Sequence, residues 1–398
     1  MSNAPTSKAG RAMFFIALGM FGLYAVEFGV VGILPAIMER YQISIVQAGW
    51  LVGFFALVIA ICGPFMVLWL SKFNRKKLLV SALIVFSVCS ALSAYAPTFA
   101  SLMALRVPAA LLHAVFFSVA FTTAKSLYPP ERAAHATALA FTGTSVGLVL
   151  GVPATAWVAA SFSYEAAFHF SAVANLIAAI GIWAMLPSGE QAKKNAQSPP
   201  LGVLRNAGLW LAILQTICVF AAMFSLYSYA VEYLVQTTGM DGQKISFLLV
   251  VFGVGGVLGN LFAGRTLGRA LLATVFAYPL ILSASYLIVM VFASASFTSM
   301  LAVCFVWGAA HTAGMVISQV WTVSSAPEAP EFVTSLFVSA GNLGVLAGSM
   351  TGAWFITWAG MNGAIWSGWL FSALATLLVV ISVRLKRLQR IPQCVPAS

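Results

Sequence analysis

Between Met13 and Ile37 the chain runs for about 25 residues, the length of one membrane crossing, with a single charged side chain, Glu27. Stretches of that kind recur to the end of the sequence. A helix needs about 20 apolar residues to cross the roughly 30 Å hydrocarbon layer. By that rule the sequence predicts twelve spans, at about 13–37, 46–70, 78–96, 99–124, 135–160, 166–186, 208–234, 245–264, 270–293, 297–323, 333–357 and 363–384. The ten-residue alternating segments of a closed barrel are absent, so the spans are helical. Only 7% of the residues are charged and 61% are hydrophobic, against about 25% charged in a soluble domain. The expectation is an all-α integral membrane protein whose main partner is the lipid bilayer.

The net charge of +11 would point to nucleic acid in a soluble protein, but its distribution reads as a topology signal. With the N-terminus placed in the cytoplasm, seventeen of the 20 basic residues fall in inner loops and tails: Lys8, Arg11, Lys72, Arg75, Lys76, Lys77, Lys125, Arg132, Lys193, Lys194, Arg205, Arg265, Arg269, Arg384, Lys386, Arg387 and Arg390. The outer loops hold Arg40 and Lys244, and Arg106 lies inside a span. The positive-inside rule then puts both termini in the cytoplasm, and no nucleic-acid partner is expected. The first apolar run is too long for a signal-peptide core and reads as a retained anchor. Cys62, Cys89, Cys218, Cys304 and Cys394 form no CxxC pair, so they read as packing residues, with no disulfide framework, metal or cofactor expected.

The longest inner connection divides the chain into an N-terminal six-helix bundle (1–186), a linker (187–207) and a C-terminal six-helix bundle with a basic tail (208–398). The halves resemble one another. Pro130, Glu131, Thr137, Leu139, Gly147, Gly151 and Trp157 recur 197 positions later as Pro327, Glu328, Thr334, Leu336, Gly344, Gly348 and Trp354. His113 is matched by His311, one residue off that register. An even number of spans per half makes this a parallel repeat about the membrane normal, a plan in which two bundles rock around a central cleft. Small residues are expected where helices slide: Gly143, Gly147, Gly151 and Pro153 in span 5, Gly255 and Gly259 in span 8, Gly344 and Gly348 in span 11, with Gly49 and Gly53 in span 2. Ordinary close packing is the alternative reading of the same glycines.

Polar groups inside the spans are few, which makes each informative. Glu27 lies near mid-depth of span 1. An ionised carboxylate there must be paired, wet or protonated, which makes it a candidate proton carrier. Arg106 and His113 lie two turns apart on one face of span 4. Arg106 is a candidate partner for Glu27, and the pair serves either packing or proton coupling. His113 and His311 read as packing histidines or as residues of a substrate path. Glu232, beside Tyr229 and Tyr233, marks either a site or the membrane interface. Gln215, Gln319, Asn260 and Asn342 can hydrogen-bond substrate or neighbouring helices. No phosphate loop, nucleophile elbow or metal-ligand cluster stands out, so no enzyme is expected.

The chain resembles the major facilitator superfamily over its whole length, and within it the twelve-span drug/proton antiporter branch and the bacterial sugar-efflux and arabinose-efflux group. The resemblance rests on VEFGVVGILP (Val26 to Pro35), on LMALRVPAALLHAVFFS around Arg106 and His113, and on GTSVGLVLGVP (Gly143 to Pro153). YSYAVE (Tyr227 to Glu232) and the Gly341-Asn342-Leu343-Gly344 stretch add to it. The span 2–3 loop, LSKFNRKKLL, departs from the superfamily pattern: Val67, Ser71 and Asn74 replace its glycine, aspartate and second glycine. Tyr164-Glu165 stands where Trp-Arg is common.

The resemblance implies a major facilitator fold of two pseudo-symmetric six-helix bundles. It also implies a monomeric, proton-coupled exporter of a sugar or drug-like solute in a bacterial inner membrane. The residues expected to couple protons are Glu27 and Arg106. Those expected to bind substrate are Tyr24, Phe28, His113, Phe116, Phe117, Tyr227, Tyr229, Glu232, Trp307, His311, Gln319 and Asn342. A proton-coupled importer of a sugar or nucleoside with the same fold is the main alternative. A membrane receptor or enzyme would need a soluble domain or catalytic cluster that the loops do not supply.

Overall fold

The computed structural model describes residues 7–70, 73–129, 133–187, 201–328 and 330–389. Of the residues singled out above, Ser71, Lys72, Pro130, Glu131, Arg132, Lys193, Lys194, Arg390, Cys394 and most of the linker lie outside that set. Among the described residues the chain is built of α-helices joined by short turns, with no strand. The helices are α1 (Ser7–Gly32), α2 (Leu34–Tyr41), α3 (Ile45–Leu70), α4 (Arg75–Ser93), α5 (Phe99–Ser126), α6 (Ala133–Ser161) and α7 (Tyr164–Met185), then α8 (Ala207–Tyr227), α9 (Ala230–Thr238), α10 (Gly242–Arg269), α11 (Leu271–Phe292), α12 (Phe297–Ser324), α13 (Pro330–Ala359) and α14 (Gly363–Gln389). Among the described residues ten segments are long and apolar enough to cross a membrane by length and composition. One of them, Leu336–Leu385, takes in both α13 and α14, and Leu150–Ser161 of α6 is a shorter apolar helix.

Helix starts follow local chemistry. Asn74, Ser163, Asn206, Asp241 and Ser296 each accept a bond from a backbone N–H two or three residues ahead, capping α4, α7, α8, α10 and α12. Two helices expected to be continuous are broken. The first span bends at Ile33, where Pro35 removes a backbone donor, giving α1 and α2. The seventh bends at Tyr229 without a proline; the Tyr229 hydroxyl donates to the Ser349 carbonyl at 2.5 Å, and α9 starts anew. The breaks occupy matching places in the two halves.

Helix pairing repeats as well. In the first half α1 packs on α6 and α7, α3 on α5, and α4 on α5 and α7. In the second, α8 packs on α13 and α14, α10 on α12, and α11 on α12 and α14. Contact between the halves is carried mainly by α3 against α13 and α6 against α10. Those contacts sit far from the chain ends: Gly49 and Gly53 of α3 face Tyr229, Ser349 and Met350, and Gly242 of α10 faces Ala160 of α6.

The glycines correct one expectation. Most of those expected on a sliding surface between bundles pack within a half. A Cβ on Gly143 would strike the Ala17 backbone of α1, and Gly147 and Gly151 follow along the same seam at Phe21, Tyr24 and Ala25. Gly344 and Gly348 lie on the α8 backbone at Ile217 and Ala221, and Gly255 and Gly259 on the α12 backbone at Phe305 and Ala309. Pro153 is buried inside α6. The physical reason is distance: only glycine lets two helix backbones touch, and touching backbones lock a pair together. Of the glycines expected on that surface, only Gly49 and Gly53 meet the other half.

Overpacking a close seam costs about 1–3 kcal/mol or more. Gly143→Leu is therefore expected to lower the thermal midpoint of the detergent-purified protein and broaden its elution from a sizing column. Gly264→Ala, where a Cβ meets nothing within 4 Å, is expected to leave both unchanged.

Candidate functional site

The site is built where α1 passes between α5 of its own half and α8 of the other. Glu27 is 4% exposed, Arg106 5% and His113 3%. Arg106 and His113 are separated by two turns of α5, about 10 Å along the axis, so they meet α1 at different levels. Arg106 does not pair with the Glu27 carboxylate. Its Nη1 donates to the Val26 carbonyl at 3.2 Å and its Nη2 to the Glu27 carbonyl at 3.0 Å, with the guanidinium 4.7 Å above the Phe55 ring. It clamps the backbone of α1. The carboxylate turns the other way, and its Oε2 lies 2.9 Å from His113 Nε2.

That pair forms one wall of a central cavity of about 160 Å³, measured by the space open to the centre of a water molecule. The first half contributes Tyr24, Glu27, Phe28, His113, Phe117 and Thr144. The facing wall carries Phe220, Phe224, Asn260, Gln319, Phe337 and Asn342, among others. His113 stacks on Phe117 at 6.4 Å between ring centres, and Tyr24 on Phe28 at 6.0 Å. Phe28 reaches across to Phe224 (5.2 Å) and Tyr227 (6.5 Å), closing the cavity on the side away from the chain ends. Thr334, Phe337 and Val338, in the first turns of α13, line it on the terminal side.

Of the residues expected to bind substrate, Tyr24, Phe28, His113, Phe117, Gln319 and Asn342 line this cavity. The others lie elsewhere. Phe116 points into the first half against Gly19. Tyr227 and His311 sit behind the Phe224 wall, 4.6 Å apart between ring centres, in an aromatic stack with Phe252, on which Trp307 packs edge-on. Tyr229 belongs to the contact between halves. Glu232 lies in α9, where its Oε1 accepts from Gln236 at 2.5 Å. Arg106 lines a separate small pocket with Ser90, Thr155 and Ser171 on the far side of α1.

Sequence reasoning missed Thr144, Phe220, Phe224 and Phe337. Phe220 and Phe224 stack at 6.3 Å and share a face of α8 with Tyr227. An i, i+4, i+7 reading of that helix would have found them. Among the described residues no three His, Cys, Asp or Glu side chains gather to hold a metal.

The clamp yields a prediction. A lysine at 106 cannot span two carbonyls with a planar fork, and losing a charged hydrogen bond costs about 1.5–3 kcal/mol. Arg106→Lys is expected to lower the thermal midpoint measurably. Were Arg106 only a charge balancing Glu27, lysine would preserve it.

A family model described as Major Facilitator Superfamily matches residues 16–329 and 215–393. Among curated proteins, "Inner membrane transport protein YdhP" of Escherichia coli (strain K12) is 30% identical over 384 residues, covering 95% of this chain and 97% of that protein. "Uncharacterized MFS-type transporter YtbD" of Bacillus subtilis (strain 168) is 27% identical over 372 residues, 92% of this chain and 94% of that one. Two solved structures share the fold. A bacterial homolog of the human lysosomal transporter Spinster, inward-facing and unoccupied, superposes with a TM-score of 0.80 at 17% identity, covering 99% of this chain and 100% of that one. The nucleoside transporter NupG gives 0.77 at 10%, covering 95% and 99%.

Proposed function

Because the chain belongs to the Major Facilitator Superfamily, and is therefore a membrane transporter, we propose that it exports a small organic solute in exchange for an entering proton, with Glu27 as the proton carrier. It is a multi-pass protein of the bacterial inner membrane. The observation that carries the proposal is the 2.9 Å approach of Glu27 Oε2 to His113 Nε2 on the wall of the central cavity. A carboxylate there faces three fates: contact with the imidazole, contact with a substrate, or protonation. Each weakens the others, so substrate and proton compete for one group. Competition of that kind is sufficient to couple two gradients when each ligand favours a different conformation.

In this reading both termini are cytoplasmic, as the basic loops favour, twelve spans cross the membrane, and the cavity on the terminal side is the cytoplasmic access. Residues 1–186 and 208–398 are the two rocking halves and 187–207 the linker. Substrate loads from the cytoplasm beside ionised Glu27. After the halves rock, a proton from outside neutralises the carboxylate and substrate leaves. The glycine-proline stretch of α6 favours export over import, and the transporter works as a monomer without a cofactor. A sugar, a nucleoside or an amphiphilic drug fits the cavity's mixed lining.

The test uses everted membrane vesicles with an acidic lumen, challenged with members of those three solute classes. A transported solute is expected to dissipate the pH gradient, and Glu27→Gln to reduce that dissipation at least tenfold with the protein still present in the membrane. Gradient-driven flux that survives in Glu27→Gln overturns the proton-carrier assignment.

A further inference from the structure

Around the cavity two buried amide oxygens are left without a partner among the described residues, beside the Thr144 hydroxyl, which can donate or accept. On the second-half wall, Asn342 Nδ2 donates to the Val338 carbonyl at 3.0 Å. That bond fixes the orientation of the amide, so the group it leaves over is the carbonyl oxygen. Asn342 Oδ1 has no hydrogen-bond partner among the described residues, and neither has Asn260 Oδ1. On the first-half wall the charged acceptor is the Glu27 carboxylate, with the Tyr24 and Thr144 hydroxyls in the same lining. The cavity is lined by no lysine or arginine among the described residues, and its one imidazole already faces Glu27. An unpaired buried acceptor costs about 1–3 kcal/mol, which a ligand recovers only by donating.

Resting on the reading of this cavity as the substrate site, we infer that it selects solutes carrying hydrogen-bond donors at two separated positions, one for Glu27 and one for Asn342, on an aromatic or alkyl body, and that it rejects organic anions. The body packs on aromatic side chains of the lining, Phe117, Phe220 and Phe337 among them. A carboxylate or phosphate would face the Glu27 carboxylate with only neutral donors such as the Thr144 hydroxyl and the Gln319 amide, and no lysine or arginine of the described lining, to offset its desolvation. Asn342 is thus a specificity-determining residue. It counts donors on the substrate, and a site built to hydrogen-bond a group discriminates strongly against an analogue lacking it.

Three probes sharing an indole body separate the possibilities. Tryptophol offers a hydroxyl and a ring N–H, 1-methyltryptophol lacks the ring donor, and indole-3-acetate replaces the hydroxyl with an anion. Binding to the purified full-length protein is measured by titration calorimetry in detergent, with no pH gradient. Tryptophol is expected to bind at least tenfold tighter than either analogue. In Asn342→Leu the advantage over 1-methyltryptophol should vanish while the discrimination against indole-3-acetate stays, and Asn342→Asp, which keeps an acceptor, should restore the preference for the ring donor.

The inference is overturned if indole-3-acetate binds as tightly as tryptophol. It is overturned equally if methylation costs the same in wild type and Asn342→Leu, or if tryptophol gives no binding. Because no gradient is present, such an outcome leaves the proton-carrier test on Glu27 independent. Loss of flux in Glu27→Gln with failed donor selection would sink the donor rule alone.

Discussion

A carboxylate placed at mid-depth of an apolar helix is expensive, and the centre of this protein is arranged around tolerating it. Glu27 is held by two different residues of α5 in two different ways. Arg106 grips the backbone of α1 through the carbonyls of Val26 and Glu27, which fixes the height and rotation of that turn. His113, two turns deeper, meets the carboxylate itself. The division separates structure from chemistry. A guanidinium that bonds to main chain keeps its partners whatever the charge on Glu27, so the carboxylate can gain or lose a proton without dismantling its own scaffold.

Rigidity and mobility are apportioned on the same principle. Within each half, glycine lets backbones touch, at α1 on α6 and α8 on α13, and buried polar ties reinforce the stack. Asn175 donates to the Gly22 carbonyl and the Tyr286 hydroxyl to the Ala222 carbonyl. Between the halves the seam is confined mainly to α3–α13 and α6–α10, with the Phe28–Phe224 contact above the cavity. A pair of stiff bodies joined by a limited seam is what alternating access requires. The exposed Arg40–Glu165 pair at 2.7 Å ties α2 to α7 inside one half, and an exposed pair of that kind adds about 0–1 kcal/mol.

Much of this was legible before any coordinates. Charge is so scarce that Glu27, Arg106 and His113 announce themselves, and the 197-residue repeat anticipates the duplicated helix pairing. Partner choice was not legible. Whether Arg106 reaches a side chain or a carbonyl depends on the vertical offset of α5 against α1, which no spacing along one helix encodes. The glycines were readable as close contacts, but the helix each one faces is a tertiary fact. Phe220 and Phe224 were hidden by number, since in a chain with 30 phenylalanines a single one carries no signal. His311 shows the limit of the repeat: the symmetry mate of His113 lies in an aromatic stack, and α8, α10 and α12 around it contain no acid. The cavity carboxylate is therefore one-sided on a two-sided frame.

The central claim is that the charge on Glu27 biases which end of the bundle is open. Spin labels at Ser126 and Ser324, exposed at the terminal ends of α5 and α12, report that opening directly in a background freed of native cysteines and reconstituted in lipid nanodiscs. The account predicts that the label-to-label distance distribution shifts with pH in the otherwise wild-type protein and becomes independent of pH in Glu27→Gln. The same pH-dependent shift in both proteins would contradict it.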